Sequence, residues 1–166
     1  MVQSREGIFW DIIAGRRPLP AVLGLLGWRV LEAEPGRIRV TFQGKPDFYN
    51  PVGLVQGGIL AAMLDGVMGA AAVSVLEDNQ SITTLDMNIS FMQPVRDVKL
   101  IAEGRVVHRG GSTVFMDGTL TLEDGSLVAT ATATGRVARI REGEEASDDG
   151  RFRQGPGADS RHHPGR

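Results

Sequence analysis

A single carboxylate interrupts the most apolar stretch of the sequence. Asp65 is the only charged residue within 56–76. Burying a lone carboxylate costs free energy unless it is hydrogen-bonded or paired, so a chain that keeps one there commonly uses it in chemistry. Composition alone supports two interpretations about equally: a functional carboxylate, or a structural Asp that caps a loop or pairs with an arginine.

A pair of glycines, Gly57 and Gly58, lies where this apolar stretch begins. The stretch predicts a helix, and the first N–H groups of a helix lack internal partners and carry the positive end of its dipole. Glycine also lets another group approach the backbone closely. These amides are therefore a candidate site for a carbonyl oxygen, such as that of a thioester, that becomes an oxyanion. A plain loop-to-helix junction is the alternative.

The spacing of the two features predicts a dimer. Asp65 comes eight residues after Gly57, which places them roughly 12 Å apart along one helix. That is too far for both to contact one reacting carbonyl. Two such helices packed antiparallel from two chains would bring them together, and Gly66, Gly69 and the run 70–72 would permit close approach. We therefore expect an obligate dimer with its sites at the subunit interface.

The segment 57–76 is apolar nearly all round, so the predicted helix is either buried in protein or spans a membrane. We favour burial, because Asp65 lies near the middle, four glycines dilute the hydrophobicity and strand-like segments follow. Alternating apolar and polar residues predict six strands that form one sheet around this helix. The predicted strands are 28–33, 37–43, 81–92, 98–108, 113–122 and 127–138.

In the strand after the helix, strict alternation predicts an apolar and a polar face. The apolar face would carry Leu85, Met87, Ile89 and Phe91, and the polar face Thr84, Asp86, Asn88 and Ser90. Before the sheet, apolar spacing predicts a short helix at 6–14 and a second helical turn at 21–26. Residues 1–140 are expected to form one domain, and the polar segment 141–166 a disordered tail.

Composition excludes several classes of function. A net charge of -2 argues against nucleic-acid binding, and the absence of cysteine excludes disulfides and thiol chemistry. No signal peptide is evident, which predicts a cytoplasmic protein. We find no metal-ligand spacing, dinucleotide fingerprint or P-loop, so no cofactor is expected. His108 ends a predicted strand and is more typical of a surface residue than of a catalytic base.

One ordered set of motif residues resembles a known family, the PaaI-like hotdog-fold thioesterases of phenylacetate degradation. The set is Asn50, Gly53, Gln56, Gly57, Gly58 and Asp65, followed by the strand 84–94. The resemblance covers about 18–138. It implies an α+β hotdog fold, in which a curved antiparallel sheet of about six strands wraps around one long central helix. It also implies dimers formed through a continuous sheet, often as dimers of dimers.

The resemblance further implies hydrolysis of an acyl-CoA thioester without a cofactor. Asp65 would be the nucleophile or the general base that activates water, and the Gly57 amide would polarise the carbonyl. Asn50 would position water or the thioester, and Thr84 would help to hold the nucleophilic water. In the family, Asn50 and Gly57 of one chain act with the partner subunit's Asp65 and Thr84.

One residue departs from the family pattern, since Gln56 stands where the family usually has His. A glutamine can hold the loop beside Gly58 but cannot carry a proton. If the histidine is structural, activity survives; if it assists the leaving thiol, this chain is slow or uses another acid. Because CoA is anionic, Arg109, Ser112 and Arg136 are candidates for phosphate contacts, with ordinary solvated side chains as an equally supported alternative.

Two further readings compete with the enzyme. A non-catalytic acyl-CoA-binding or regulatory module could have the same fold, because fold does not fix function; Asp65 favours the enzyme, and Gln56 leaves room for the module. A hydratase would need a His–Asp or His–Glu pair, which we do not find. The expected partners are an acyl-CoA and further copies of this chain, with no nucleic acid and no membrane.

Overall fold

The computed structural model describes residues 6–140, so the predicted tail at 141–166 lies outside the described residues. The elements follow the predicted order, and every strand bound lies within one residue of its prediction. They are α1 (Ile8–Ile13), α2 (Ala21–Leu26), β1 (Arg29–Glu34), β2 (Arg37–Gln43), a 3-10 turn (Pro46–Phe48), α3 (Gly57–Val73), β3 (Gln80–Phe91), β4 (Lys99–Arg109), β5 (Thr113–Thr121) and β6 (Leu127–Arg139). The first helix is shorter than predicted, and α3 ends three residues before the predicted residue 76.

All six strands form one antiparallel sheet in the order β1-β2-β4-β5-β6-β3. The predicted hotdog fold is confirmed, because this sheet curves around α3 and covers it. The buried side chains of α3 are Leu60, Met63, Leu64, Val67, Met68, Ala71 and Ala72. Fully burying one large aliphatic side chain stabilises a fold by about 1.5–3 kcal/mol, so this helix organises the core. Within residues 6–140, no helix combines the length and apolarity that crossing a bilayer requires.

Glycines in the sheet allow α3 to lie close to it. Gly104 of β4 pairs with Gly118 of β5 directly beneath the helix. A Cβ on Gly104 would lie 2.4 Å from the backbone oxygen of Val67, and one on Gly118 would lie 2.9 Å from Met68 Cγ. Both contacts are closer than real Cβ atoms tolerate. The close packing of α3 on the sheet therefore requires glycine at these two positions, and it explains part of the high glycine content of 22 in 166 residues.

A β-bulge in β3 corrects one prediction. Thr84 pairs with Gly135 and Asp86 with Thr134, so Leu85 is an extra residue opposite β6. An extra residue reverses the inward and outward alternation of a strand. Met87 and Ile89 face the core as predicted. Two placements were wrong: the bulge turns Thr84 from the predicted polar face to the side of the sheet that faces α3, and it leaves Leu85, predicted on the apolar face, 61% exposed.

Candidate active site

The two polar side chains that the motif singled out meet between α3 and β3. Thr84 Oγ1 donates a hydrogen bond to Asp65 Oδ1 at 2.9 Å. Asp65 is half-buried and forms no salt bridge with any residue in 6–140. The alternative in which an arginine neutralises this carboxylate therefore finds no support in the described part of the chain. The pair is held by the bulge, which turns the hydroxyl toward the helix.

At the amino end of α3, the backbone N–H groups of Gly57 and Gly58 donate to no residue within 6–140. Gly57 is the first residue of α3, and the side chain of the preceding Gln56 makes no capping hydrogen bond. The opening N–H groups of a helix have no partner within the helix. The ring of Phe91 packs at this end, with Cζ 3.4 Å from the position of a Cβ on Gly57. Because Gly57 and Asp65 lie on the same straight helix, they remain about 12 Å apart within one chain.

The loop before α3 is held by Asn50. Its Oδ1 accepts hydrogen bonds from the backbone N–H groups of Val52 and Leu54, each at 3.1 Å. The backbone N–H of Gln56 donates to the Phe48 carbonyl at 2.8 Å and fixes the entry to the helix. The Oδ1 atom of Asn50 thus stabilises the loop, and the Nδ2 group is the part of this side chain that could contact a ligand. The Gln56 side chain and Gly58 are exposed.

A cavity of about 620 Å³ adjoins Asp65 and Thr84. Its walls are α1, α2, the C-terminal half of α3 and the first half of β3. Most of its lining is aliphatic or aromatic, including Phe9, Ile12, Leu23, Trp28, Val73 and Ile82. The apolar spacing in the sequence predicted α1 and α2 but indicated no role for them. Their apolar residues at helical spacing were the available signal, because a short helix with one apolar side packs that side against another apolar surface of the protein.

None of the three candidates for phosphate contacts lines this cavity. The Arg109 guanidinium donates to the carbonyl of Val75 and, at 3.1 Å, to Gln80 Oε1, so it ties β4 to the segment after α3. Ser112 is exposed, and its backbone oxygen accepts from Val137 N–H at 2.9 Å. Arg136 is exposed, between the inward-facing Gly135 and Val137, and so points away from α3. A phosphate role for all three stays a prediction.

Other groups that could do chemistry are not near Asp65. The His108 ring lies 6.2 Å from that of Phe115, on the face of the sheet that points away from α3. Among residues 6–140, no three His, Asp or Glu side chains are grouped closely enough to hold a metal ion. The candidate site therefore consists of one carboxylate, one hydroxyl, a helix terminus and an apolar cavity.

Comparison with known proteins shows which family this arrangement belongs to. The family model for the thioesterase superfamily matches residues 52–129, which include α3 and the bulge. A solved structure from Ralstonia eutropha JMP134, described as a candidate thioesterase related to phenylacetic acid degradation, is 39% identical with a TM-score of 0.73. It covers 77% of this chain, and the match spans 98% of that protein. The chain belongs to the hotdog-fold thioesterase superfamily.

Two more distant relatives agree with this membership. A protein from Streptococcus pneumoniae TIGR4, described as a hypothetical thioesterase and solved with coenzyme A, is 27% identical with a TM-score of 0.64, over 69% of this chain and 90% of that one. A protein from Saccharolobus solfataricus, described as a candidate esterase, is 27% identical over 120 residues, or 72% of this chain and 85% of the relative. Both similarities extend over most of the domain.

Proposed function

We propose that this member of the thioesterase superfamily is an acyl-CoA thioesterase that uses Asp65 as its nucleophile or general base. The observation that carries the proposal is the Asp65 carboxylate, bonded to Thr84 Oγ1 at 2.9 Å at the edge of an apolar cavity. The coenzyme A held by the Streptococcus pneumoniae relative supports the substrate class.

In the general-base route, water attacks the thioester carbon while its proton passes to Asp65. The Thr84 hydroxyl donates to one carboxylate oxygen, which leaves the other free to accept that proton. The carbonyl oxygen becomes an oxyanion that the Gly57 N–H stabilises. The C–S bond then breaks, and the CoA sulfur leaves and takes up a proton. In the nucleophile route, Asp65 itself attacks the thioester carbon, the C–S bond breaks and the CoA thiolate leaves and takes up a proton, and water then hydrolyses the mixed anhydride to release the acid and the Asp65 carboxylate.

The site requires two copies of the chain, because one α3 keeps Gly57 and Asp65 about 12 Å apart. The free edge of β3 supports the pairing. Leu85 and Phe91, at the two ends of its second half, are 61% and 52% exposed. A long edge strand with exposed apolar side chains is a template for pairing with another chain. We infer that β3 pairs with the partner's copy and brings Gly57 toward the partner subunit's Asp65.

Free-thiol release from a panel of short, medium and aryl acyl-CoAs tests the proposal. Asp65→Asn should lower kcat by about a hundredfold or more, the usual range for removing a positioned acid or base. Asp124→Asn is the matched control, because Asp124 is an exposed hairpin carboxylate that accepts the Ser126 N–H and does not line the cavity. Equal rates for Asp65→Asn and Asp124→Asn would remove Asp65 from the mechanism. Label found in Asp65 after turnover in ¹⁸O-labelled water would identify the nucleophile route, because a general base never acquires the label and a nucleophilic Asp65 does when water attacks the aspartyl carbonyl of the anhydride.

Gln56 favours a second candidate, a non-catalytic acyl-CoA-binding protein, because an exposed amide beside the helix terminus cannot give a proton to a leaving thiolate. Binding of acyl-CoA without thiol release across the whole panel would support this candidate. A Gln56→His variant that gained turnover would show that the missing proton donor is the reason.

A further inference from the structure

We propose that α1 and α2 form an acyl pocket with α3, and that this pocket selects an uncharged, apolar acyl group of up to about ten carbons. The inference rests on the proposed function, because it takes the cavity beside Asp65 as the place of the acyl chain. The cavity of about 620 Å³ lies within the range of roughly 300–1,000 Å³ that is typical of small-molecule sites. An acetyl group would leave most of it unfilled.

The length of the pocket follows from α3. Asp65, Gly69 and Val73 line it at successive helical turns, so its floor extends about 12 Å beyond the carboxylate. With bonds of about 1.5 Å and angles near 111°, an extended carbon chain advances about 1.25 Å per carbon. About ten carbons therefore fit between the reacting centre and the level of Val73, beyond which Leu76 and Ile140 also line the cavity.

The ionisable side chains that line the pocket are all of one sign. Its ionisable lining residues other than Asp65 are Glu6, Glu77 and Asp78, all exposed, and no Lys, Arg or His within 6–140 lines it. An acyl group with a second carboxylate would have to bury that charge without a cation to pair with it, which is costly. The pocket is thus built for aliphatic or aryl groups and against dicarboxylic acyl groups.

Gly69 sets the usable length. A Cβ on Gly69 would meet no atom within 4 Å, so this glycine opens one helical turn, or about 6 Å, of floor beyond Asp65. A leucine there would project into empty space without displacing its neighbours, and it also favours helix more than glycine does. The same substitution should block the pocket after about five carbons. Gly69 is therefore the residue we assign to specificity.

Gly69→Leu tests the assignment, with butyryl-CoA and octanoyl-CoA as substrates. The ratio of kcat/KM for octanoyl-CoA to that for butyryl-CoA should fall at least about tenfold, since steric changes in an apolar pocket discriminate by that factor or more. Gly24→Ala, in α2, is the matched control, because its added Cβ also meets no atom within 4 Å and Gly24 does not line the cavity. Its ratio should equal that of the unmodified protein.

Charge selection is measured with octanoyl-CoA and the monothioester of octanedioic acid, which have acyl groups of equal length. The unmodified protein should prefer octanoyl-CoA by at least about tenfold. Comparable rates for the two substrates would overturn the charge argument. An unchanged chain-length ratio in Gly69→Leu would overturn the pocket itself.

Binding of the thioethers S-butyl-CoA and S-octyl-CoA, measured by calorimetry, separates this inference from the proposed function. Neither compound can be hydrolysed, so their dissociation constants report the pocket whether or not the protein turns over. If Gly69→Leu weakens the binding of S-octyl-CoA but not that of S-butyl-CoA, while no thioester is cleaved, the pocket assignment is correct and the catalytic proposal fails. If thioesters are cleaved but Gly69→Leu binds S-octyl-CoA as tightly as the unmodified protein, only the pocket assignment fails.

Discussion

Removing one backbone N–H tests the oxyanion site most directly. Gly57 is the first residue of α3, where proline is well tolerated because its fixed φ suits the helix and its missing N–H has no helical partner. Gln56 before it has φ -58 and ψ 133, within the extended region that a residue before proline adopts. Gly57→Pro should therefore leave the fold intact and delete only the donor.

The comparison variant is Gly57→Ala, which keeps the N–H. Its new Cβ would lie 3.4 Å from Phe91 Cζ, an ordinary van der Waals contact. Loss of a single oxyanion donor typically costs about a hundredfold to a thousandfold in kcat, or about 2.7–4 kcal/mol of transition-state stabilisation. We expect kcat of Gly57→Pro to fall below that of Gly57→Ala by this factor, with a smaller change in KM, because the ground-state carbonyl carries less charge.

The assay is thiol release under saturating acyl-CoA, with circular dichroism and a thermal melt to establish that both variants fold. If Gly57→Pro folds like Gly57→Ala and its kcat is within a factor of a few, the Gly57 N–H is not the oxyanion donor. A Gly57→Pro variant that binds S-octyl-CoA normally yet fails to turn over would instead agree with a purely transition-state role.

Three further changes probe the rest of the arrangement. Thr84→Val keeps the shape of the side chain but removes the hydroxyl bonded to Asp65. Its kcat in the thiol-release assay should fall about tenfold, as expected for the loss of a hydrogen bond to a charged group. Thr84→Ser keeps a hydroxyl and should retain most of the wild-type kcat. Co-expressing Asp65→Asn with Gly57→Pro should restore about a quarter of the wild-type activity, because half of the dimers would then contain one intact site; no recovery would place the site within one chain. Gly104→Ala should lower the free energy of unfolding in urea by about 1–3 kcal/mol through overpacking. Gly118→Ala should cost less, because it meets a flexible methionine side chain rather than backbone.

Much of the fold could be predicted from local patterns. The period-two alternation located all six strands, because each has one face on the core and one toward solvent. The separation of Gly57 and Asp65 followed from helix rise alone, since both lie on one uninterrupted helix. These features depend on residues near each other in sequence, where simple periodicities hold.

The remaining features depend on contacts between distant segments. Alternation placed Thr84 on the wrong face of β3, because nothing local in the sequence marks the extra residue at Leu85. The cavity wall formed by α1 and α2 was also missed, since short apolar helices do not reveal which surface they cover. Asn50 appeared as a candidate for the reaction, while its Oδ1 is in fact engaged by two loop amides.

Because of the bulge at Leu85, even-numbered residues of β3 face α3 before it and odd-numbered residues face α3 after it. Before it, Ile82 and Thr84 point toward α3; after it, Met87 and Ile89 do. The same residues in a regular strand without the bulge would have to choose between burying the two apolar side chains and aiming the hydroxyl at the carboxylate. Since burying each apolar side chain is worth about 1.5–3 kcal/mol, packing would win and a folded protein without its hydroxyl would result. The bulged pairing at this point, rather than the side chain of Leu85, is what the alignment of the site depends on.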